Sequence, residues 1–431
     1  MRCCVLRRYN VDIVNNLILN FILTVENQPT LKRSINLPLL TLYGLGTIVG
    51  AGIYVLIGEV VNEAGVYAPV SFLLAAVIAT FTAFTYAELS SRFPRSAGEA
   101  YYSYQAFQKK LFSGFIGWSI VVIGLVSGAT ITNGFVGYFN VYFDAPAWLV
   151  IVGFILVIAT VAAWGISESV WLAAVVTIIE VFGLLFVIFS ATQVEFHQQI
   201  SISDLAPSLE PPLWLGIVLG AFLAFYAYIG FEDMVNVAEE VIHPRRTLPL
   251  GILTALVVSS LLYVLVAVAA IYALPASQLG ASKAPLVDIV RQYSESTVVL
   301  MGVISMIAVV NGALIQIIMA SRVIYGMACQ KMAPDIFARI NGRTQTPLWA
   351  TGLVTVIILT LALSFTLVEL AKATSFVTLL VFAIMHLSLI VIKRKEPNPV
   401  YAITYPVWIP ITGLFVSLIL VGIQVWASWV A

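Results

Sequence analysis

Charge is what this sequence has least of. Asp, Glu, Lys and Arg make up 10% of its 431 residues, against 61% hydrophobic, and mean hydropathy is +1.02. Water-soluble domains are about 25% charged. A soluble fold is therefore excluded, and the solvent for most of the surface is a bilayer, which asks for about 20 apolar residues per helical span. Formal net charge is zero and the isoelectric point is near 6.8, so no nucleic-acid partner is supported. Cysteine occurs only as Cys3, Cys4 and Cys329, which makes no disulfide framework. The three histidines, His197, His243 and His386, are far apart and lack metal-ligand spacing. No metal and no cofactor are expected.

What the chain does have is long apolar runs. Eleven of them, bounded by charge or by Pro and Gly clusters, read as spans: 37–62, 66–89, 111–139, 146–165, 170–192, 212–238, 249–273, 297–327, 347–366, 368–392 and 406–429. Lys and Arg accumulate in cytoplasmic loops. With the N-terminus inside, eighteen of the 21 basic residues fall on the inner side, and only Lys283, Arg291 and Lys372 fall outside. The first thirty residues mix basic residues with a partly apolar stretch that Asn15, Asn16 and Asn20 interrupt, with no cleavage site after it. They read either as an amphipathic helix on the membrane surface or as the product of a wrongly chosen start codon.

Two spans carry residues that an uninterrupted membrane helix would not. The first contains GLGTIVGAGIYVLIG, Gly44 to Gly58. Its spacing is G-x-G-x-x-x-G, which is not the dinucleotide pattern; Gly46 and Gly50 could instead let two helices approach closely. The sixth contains FLAFYAYIGFEDMVNVAEE, Phe222 to Glu240, with Glu232 and Asp233 just after Gly230. Facing lipid, each carboxylate would cost about 2.5–3.5 kcal/mol, so both must face a polar interior. Interruptions at matching places in two sets of five spans point to an inverted-repeat transporter with its substrate at mid-membrane. A helix N-terminus at such a break suits a carboxylate and a C-terminus suits an ammonium group. Together they suit a zwitterion.

At these residues the chain resembles the amino acid-polyamine-organocation superfamily of permeases, within it the bacterial relatives of the cationic amino acid transporters. The resemblance rests on GTIVGAGIY (Gly46 to Tyr54), AFYAYIGFEDMVNVAEEVIHPRRTLPLGI (Ala224 to Ile252), TAFTYAELSSRFPRSAGEAYYSY (Thr82 to Tyr104) and MASRVIYGMACQKMAP (Met319 to Pro334). It implies an all-α membrane fold with two inverted five-helix repeats, residues 36–192 and 193–392. These are preceded by an interfacial segment, 1–35, and followed by a loop and an eleventh span, 393–431. It further implies that the substrate carboxylate meets the amides of Gly50, Ala51 and Gly52, that its amine meets carbonyls of Ile48, Tyr226, Ala227 and Ile229, and that Tyr226 covers the site. Ala51 replaces a hydroxyl residue common in the family, and Glu232 stands where Asp is usual. Relatives that pair with a glycoprotein heavy chain use a cysteine between spans three and four; GYFNVYFDAPAW, 137–148, has none, so no disulfide-linked heavy chain is expected. Ending after eleven spans also argues against dimerisation through later helices.

Sodium-coupled members of this fold carry tandem hydroxyl residues in span eight. SMIAVVNGALIQIIMASR, Ser305 to Arg322, lacks them. Proton coupling needs a titratable group at membrane depth instead, and Glu180 is the first candidate, with Glu232 behind it; several relatives carry lysine at the matching position. Glu180 could equally be a neutral hydrogen-bond partner. Glu88 and Arg92 form an i, i+4 pair that suits either a gate latch or a solvated helix end. The sequence thus predicts a secondary transporter of L-amino acids in a prokaryotic plasma membrane, not an enzyme, with amino acid, proton and lipid as its partners. An obligate amino acid or polyamine exchanger on the same fold is the alternative.

Overall fold

Asn36 starts the helical bundle. Its side-chain oxygen accepts the Leu39 N–H at 3.1 Å, and Pro38 follows in the first turn, a common chemistry for a helix N-terminus. The computed structural model describes residues 33–50, 52–95, 98–164, 170–194, 206–208, 210–329, 331–342, 344, 346–397 and 399–430. The expectations for the first thirty residues, Ala51 and Arg343 lie outside the described residues.

Helix α1 (Leu37–Val49) stops at Gly50 and α2 (Gly52–Ala64) takes up the chain. Then come α3 (Ala68–Arg92), α4 (Gly98–Phe107), α5 (Lys110–Phe139), α6 (Ala147–Trp164) and α7 (Val170–Thr192). Helix α8 (Pro211–Tyr226) is followed by four turn residues and a tighter 3₁₀ segment, Phe231–Glu240. The remainder is α9 (Pro244–Ala273), α10 (Ala276–Ala281), α11 (Pro285–Tyr293), α12 (Val298–Cys329), α13 (Leu348–Ser364), α14 (Leu367–Lys395) and α15 (Trp408–Val430). Among the described residues the only β pairing is an isolated parallel bridge, Ile35 to Val241, which joins the lead-in of α1 to the end of the 3₁₀ segment.

Nine helical runs among the described residues are long and apolar enough to cross a membrane, where eleven spans are predicted. One cause is the break, which leaves α1 only 13 residues, together with a short 3₁₀ turn, Gly65–Tyr67, that joins α2 to α3 in one run, Gly52–Arg92. The other is α13, whose 17 residues rise about 26 Å at 1.5 Å each. All eleven apolar runs are helical nonetheless. Helices α4, α10 and α11, in stretches read as loops, are additions that the hydropathy pattern does not announce.

Packing follows a five-place rule. Helix α2 lies on α8, α3 on α9, α5 on α12 and α6 on α13, so each of the first four spans meets the span five places later. Likewise α1 packs on α7 as α8 packs on α14. A fold made from two related five-helix units produces this pairing. At the end of the bundle where α3 and α14 finish, the fully enclosed Glu88 carboxylate accepts from Arg92 Nη2 at 2.7 Å, Lys393 Nζ at 2.6 Å and the Tyr405 N–H at 2.9 Å. That one side chain fixes α3, α14 and the segment leading into α15 to each other.

Candidate functional site

The two breaks face each other. A Cβ built on Gly52 would run into Cα of Ala227, and one built on Gly230 into the Thr47 carbonyl, so the backbones meet where only glycine lets them. Gly230 has φ +132°, a conformation side chains strongly resist. The neighbouring glycines pack: Gly44 faces Met234 and Gly46 faces Thr177 of α7.

Each of the residues named from the sequence has a definite place here, save Ala51. The Gly50 amide closes back onto the Gly46 carbonyl at 3.1 Å, while Gly52 opens α2, where the first N–H groups have no partner within the helix. The Ile48 and Ala227 carbonyls both receive the hydroxyl of Tyr263, from α9, at 2.8 and 2.9 Å. The Tyr226 carbonyl takes the Ile229 N–H at 3.2 Å. The phenol of Tyr226 pairs with Ser127 Oγ of α5 at 2.9 Å, which draws the ring across the site. Glu232, buried just past the second break, accepts the Gly230 N–H at 2.8 Å.

Gly50, Gly52, Ile48, Tyr226 and Ile229 line one cavity of about 30 Å³, together with Ser127 and Gln316. Such a volume holds a water or two, so an amino acid enters only if these walls move apart. A second small cavity, about 20 Å³, shares Ile229 and Gln316 with the first and is lined by Glu99, Glu232 and Asp233. It shares Glu99 and Asp233 in turn with a chamber of about 420 Å³ bordered by Arg322. Beyond the other side of the breaks lies a chamber of about 370 Å³, bordered by Glu59 and Lys283, that has no wall residue in common with the central cavity. Val55 and Gly134 of α5, packed against each other, form part of that chamber's wall. Glu99, on α4 outside the spans, receives the Tyr86 hydroxyl at 2.9 Å; burial lifts its carboxyl above the ordinary range, and its hydrogen bonds oppose the lift.

Glu180 is fully enclosed on α7. Its Oε1 lies 3.3 Å from Asn311 Nδ2 of α12, and its Oε2 has no hydrogen-bond partner among the described residues. The Tyr54 hydroxyl donates to the Glu180 backbone carbonyl at 2.6 Å, and Tyr138 donates to the carbonyl of Tyr54. Helix α2 is thereby tied to α7 and α5.

Sequence reasoning misses Tyr263, Ser127, Asn311 and Gln316. The last two did carry a signal, because a lone carboxamide in an apolar membrane helix ordinarily finds a partner on another helix. Tyr263 carried none, since tyrosine in a membrane helix reads as packing.

The profile of the amino acid permease family matches residues 35–430. The chain is similar to the vacuolar cationic amino acid transporter 2 of Arabidopsis thaliana, at 31% identity over 85% of this chain and 61% of the relative. It is also similar to the branched-chain amino acid permease of Bacillus subtilis, at 27% over 88% of this chain and 85% of the relative. The methylthioribose transporter of Bacillus subtilis matches at 27% over 92% and 88%. The chain spans under two thirds of the length of the plant relatives it matches, 64% and 61% for two of them.

Proposed function

The chain belongs to the amino acid permease family, and from that premise we propose that it carries L-amino acids across a plasma membrane by alternating access, with uptake driven by protons. The observation that carries this reading is the pair of facing breaks lining a central cavity between two larger chambers. The start of α2 at Gly52 suits a carboxylate, and the carbonyls around the ends of α1 and α8 suit an ammonium group. Names of relatives divide among cationic amino acids, branched-chain amino acids and methylthioribose, so the amino acid class is proposed and no single member of it. Proton drive is supported by Glu180, a carboxyl enclosed between α7 and α12. The excess of basic residues on one side supports a cytoplasmic N-terminus.

A thermal-shift screen of the purified protein against the twenty amino acids, common polyamines and methylthioribose tests the substrate class. A ligand at a hundredfold its Kd adds about 2.7 kcal/mol to stability. Stabilisation by an amino acid is the expected result; stabilisation by methylthioribose or a polyamine alone overturns the reading.

A further inference from the structure

Gln316 stands where the two small cavities meet. With Ile229 it is one of two residues that line both. It comes from α12, and α5 leaves room for it: a Cβ on Gly128 would lie 3.6 Å from its Cβ, and a Cβ on Gly124 would lie 3.4 Å from its Oε1. That Oε1 is buried and has no hydrogen-bond partner among the described residues, although buried polar atoms nearly always have one. Leaving an acceptor unmatched is costly, so the fold gains nothing from glutamine here over methionine of similar shape. The partner must come from the cavity: a water, until a donor on the substrate displaces it.

We propose that Gln316 reads the substrate's side chain and selects amino acids whose side chain carries a hydrogen-bond donor, a hydroxyl or an amide, over aliphatic ones of the same shape. The inference rests on the amino acid reading above. Its geometry is a division of labour: the breaks at Gly52 and at Ile48 and Ala227 address the groups every amino acid shares, while Gln316, on α12 where the central cavity adjoins the next, addresses what differs. A site that offers a buried polar group discriminates strongly against an analogue lacking the matching group, because the protein atom is then left unpaired.

The test uses isosteric pairs, L-threonine against L-valine and L-asparagine against L-leucine, titrated by thermal shift on the purified full chain and on Gln316→Met. Wild-type protein should bind the donor-bearing member of at least one pair tenfold or more tightly, and Gln316→Met should bring that ratio near one by weakening the polar member alone. Equal affinities in wild type, or a ratio that Gln316→Met leaves unmoved, overturns the inference and leaves the amino acid reading standing. Stabilisation by no amino acid at all overturns both. Should Gln316→Met fail to insert, Gln316→Leu takes its place and is read by the same ratio.

Discussion

Tyr263 donates to the carbonyl of Ile48 at 2.8 Å, and the same hydroxyl reaches the carbonyl of Ala227 at 2.9 Å. One side chain of α9 therefore spans both helix breaks. A hydroxyl has a single proton, so the two carbonyls share it, and each keeps a lone pair for another donor. Tyr263→Phe keeps the ring and removes the proton. Leaving a buried carbonyl without its donor costs about 1–3 kcal/mol, and the variant should unfold at a correspondingly lower temperature in detergent. An unchanged Tm would show that the shared bond does not hold the breaks together.

Gly52 is held by contact with the other break, so its role differs from simple room for a ligand. A methyl group there collides with the backbone and side chain of Ala227, and backbone cannot step aside cheaply. Gly52→Ala should abolish amino acid binding while the protein still inserts. Gly153, exposed on α6 with open space around its Cα, is the matched control. Gly153→Ala should leave binding unchanged and add up to about 1 kcal/mol of stability from helix propensity. Equal effects at the two positions would argue against the close approach at Gly52.

The breaks were legible because glycine density and mid-span carboxylates violate what lipid permits, and such violations show in one segment alone. The eleven helical segments were legible for the same reason. Tyr263 was not, because its partner Ile48 lies 215 residues away in the chain and nothing local marks the contact. Gln316 and Asn311 were visible as polar residues, yet their use depends on which helices face them. Helices α4, α10 and α11 are 10, 6 and 9 residues long, too short for a hydropathy window to notice.

Glu88 and Glu63 offer a contrast in ion pairs. Glu88 is enclosed between Arg92 and Lys393, whose side chains are 2% and 11% exposed. Glu88→Ala leaves two buried cations without their anion, a loss of about 3–5 kcal/mol by analogy with broken buried pairs. Glu63 meets Lys372 at 3.1 Å with both about 30% exposed, so Glu63→Ala should cost no more than about 1 kcal/mol. Thermal unfolding of the two variants side by side checks the order; a larger loss for Glu63→Ala would refute it.

Glu99 gives a pH dependence. The free carboxyl ionises near about 4.3, and burial raises the value in the folded protein. Between those values the folded chain holds a proton that the unfolded chain has released, so stability from this group falls as pH rises from about 4 through the folded pKa. Glu99→Gln cannot ionise and should flatten that part of the decline in Tm against pH. Parallel curves for variant and wild type would mean that Glu99 ionises alike in both states.

Glu180 decides between the two ways of driving transport. As a coupling group it must release and regain its proton within each cycle, and its surroundings provide for both forms: Asn311 can donate to the carboxylate, and Oε2, without a partner, can carry the proton. Gln keeps the shape and the contact to Asn311 but has no proton to exchange. Glu180→Gln should therefore spare counterflow exchange, in which the site only reorients while loaded, and lose concentrative uptake driven by a pH gradient in liposomes. A carboxyl that stays neutral throughout predicts instead that both activities survive, because the amide replaces it bond for bond. Accumulation at wild-type level in Glu180→Gln would remove Glu180 from the coupling step. It would then fall to Glu232, buried beside the second break with its Oε2 on the Gly230 N–H, to carry the proton.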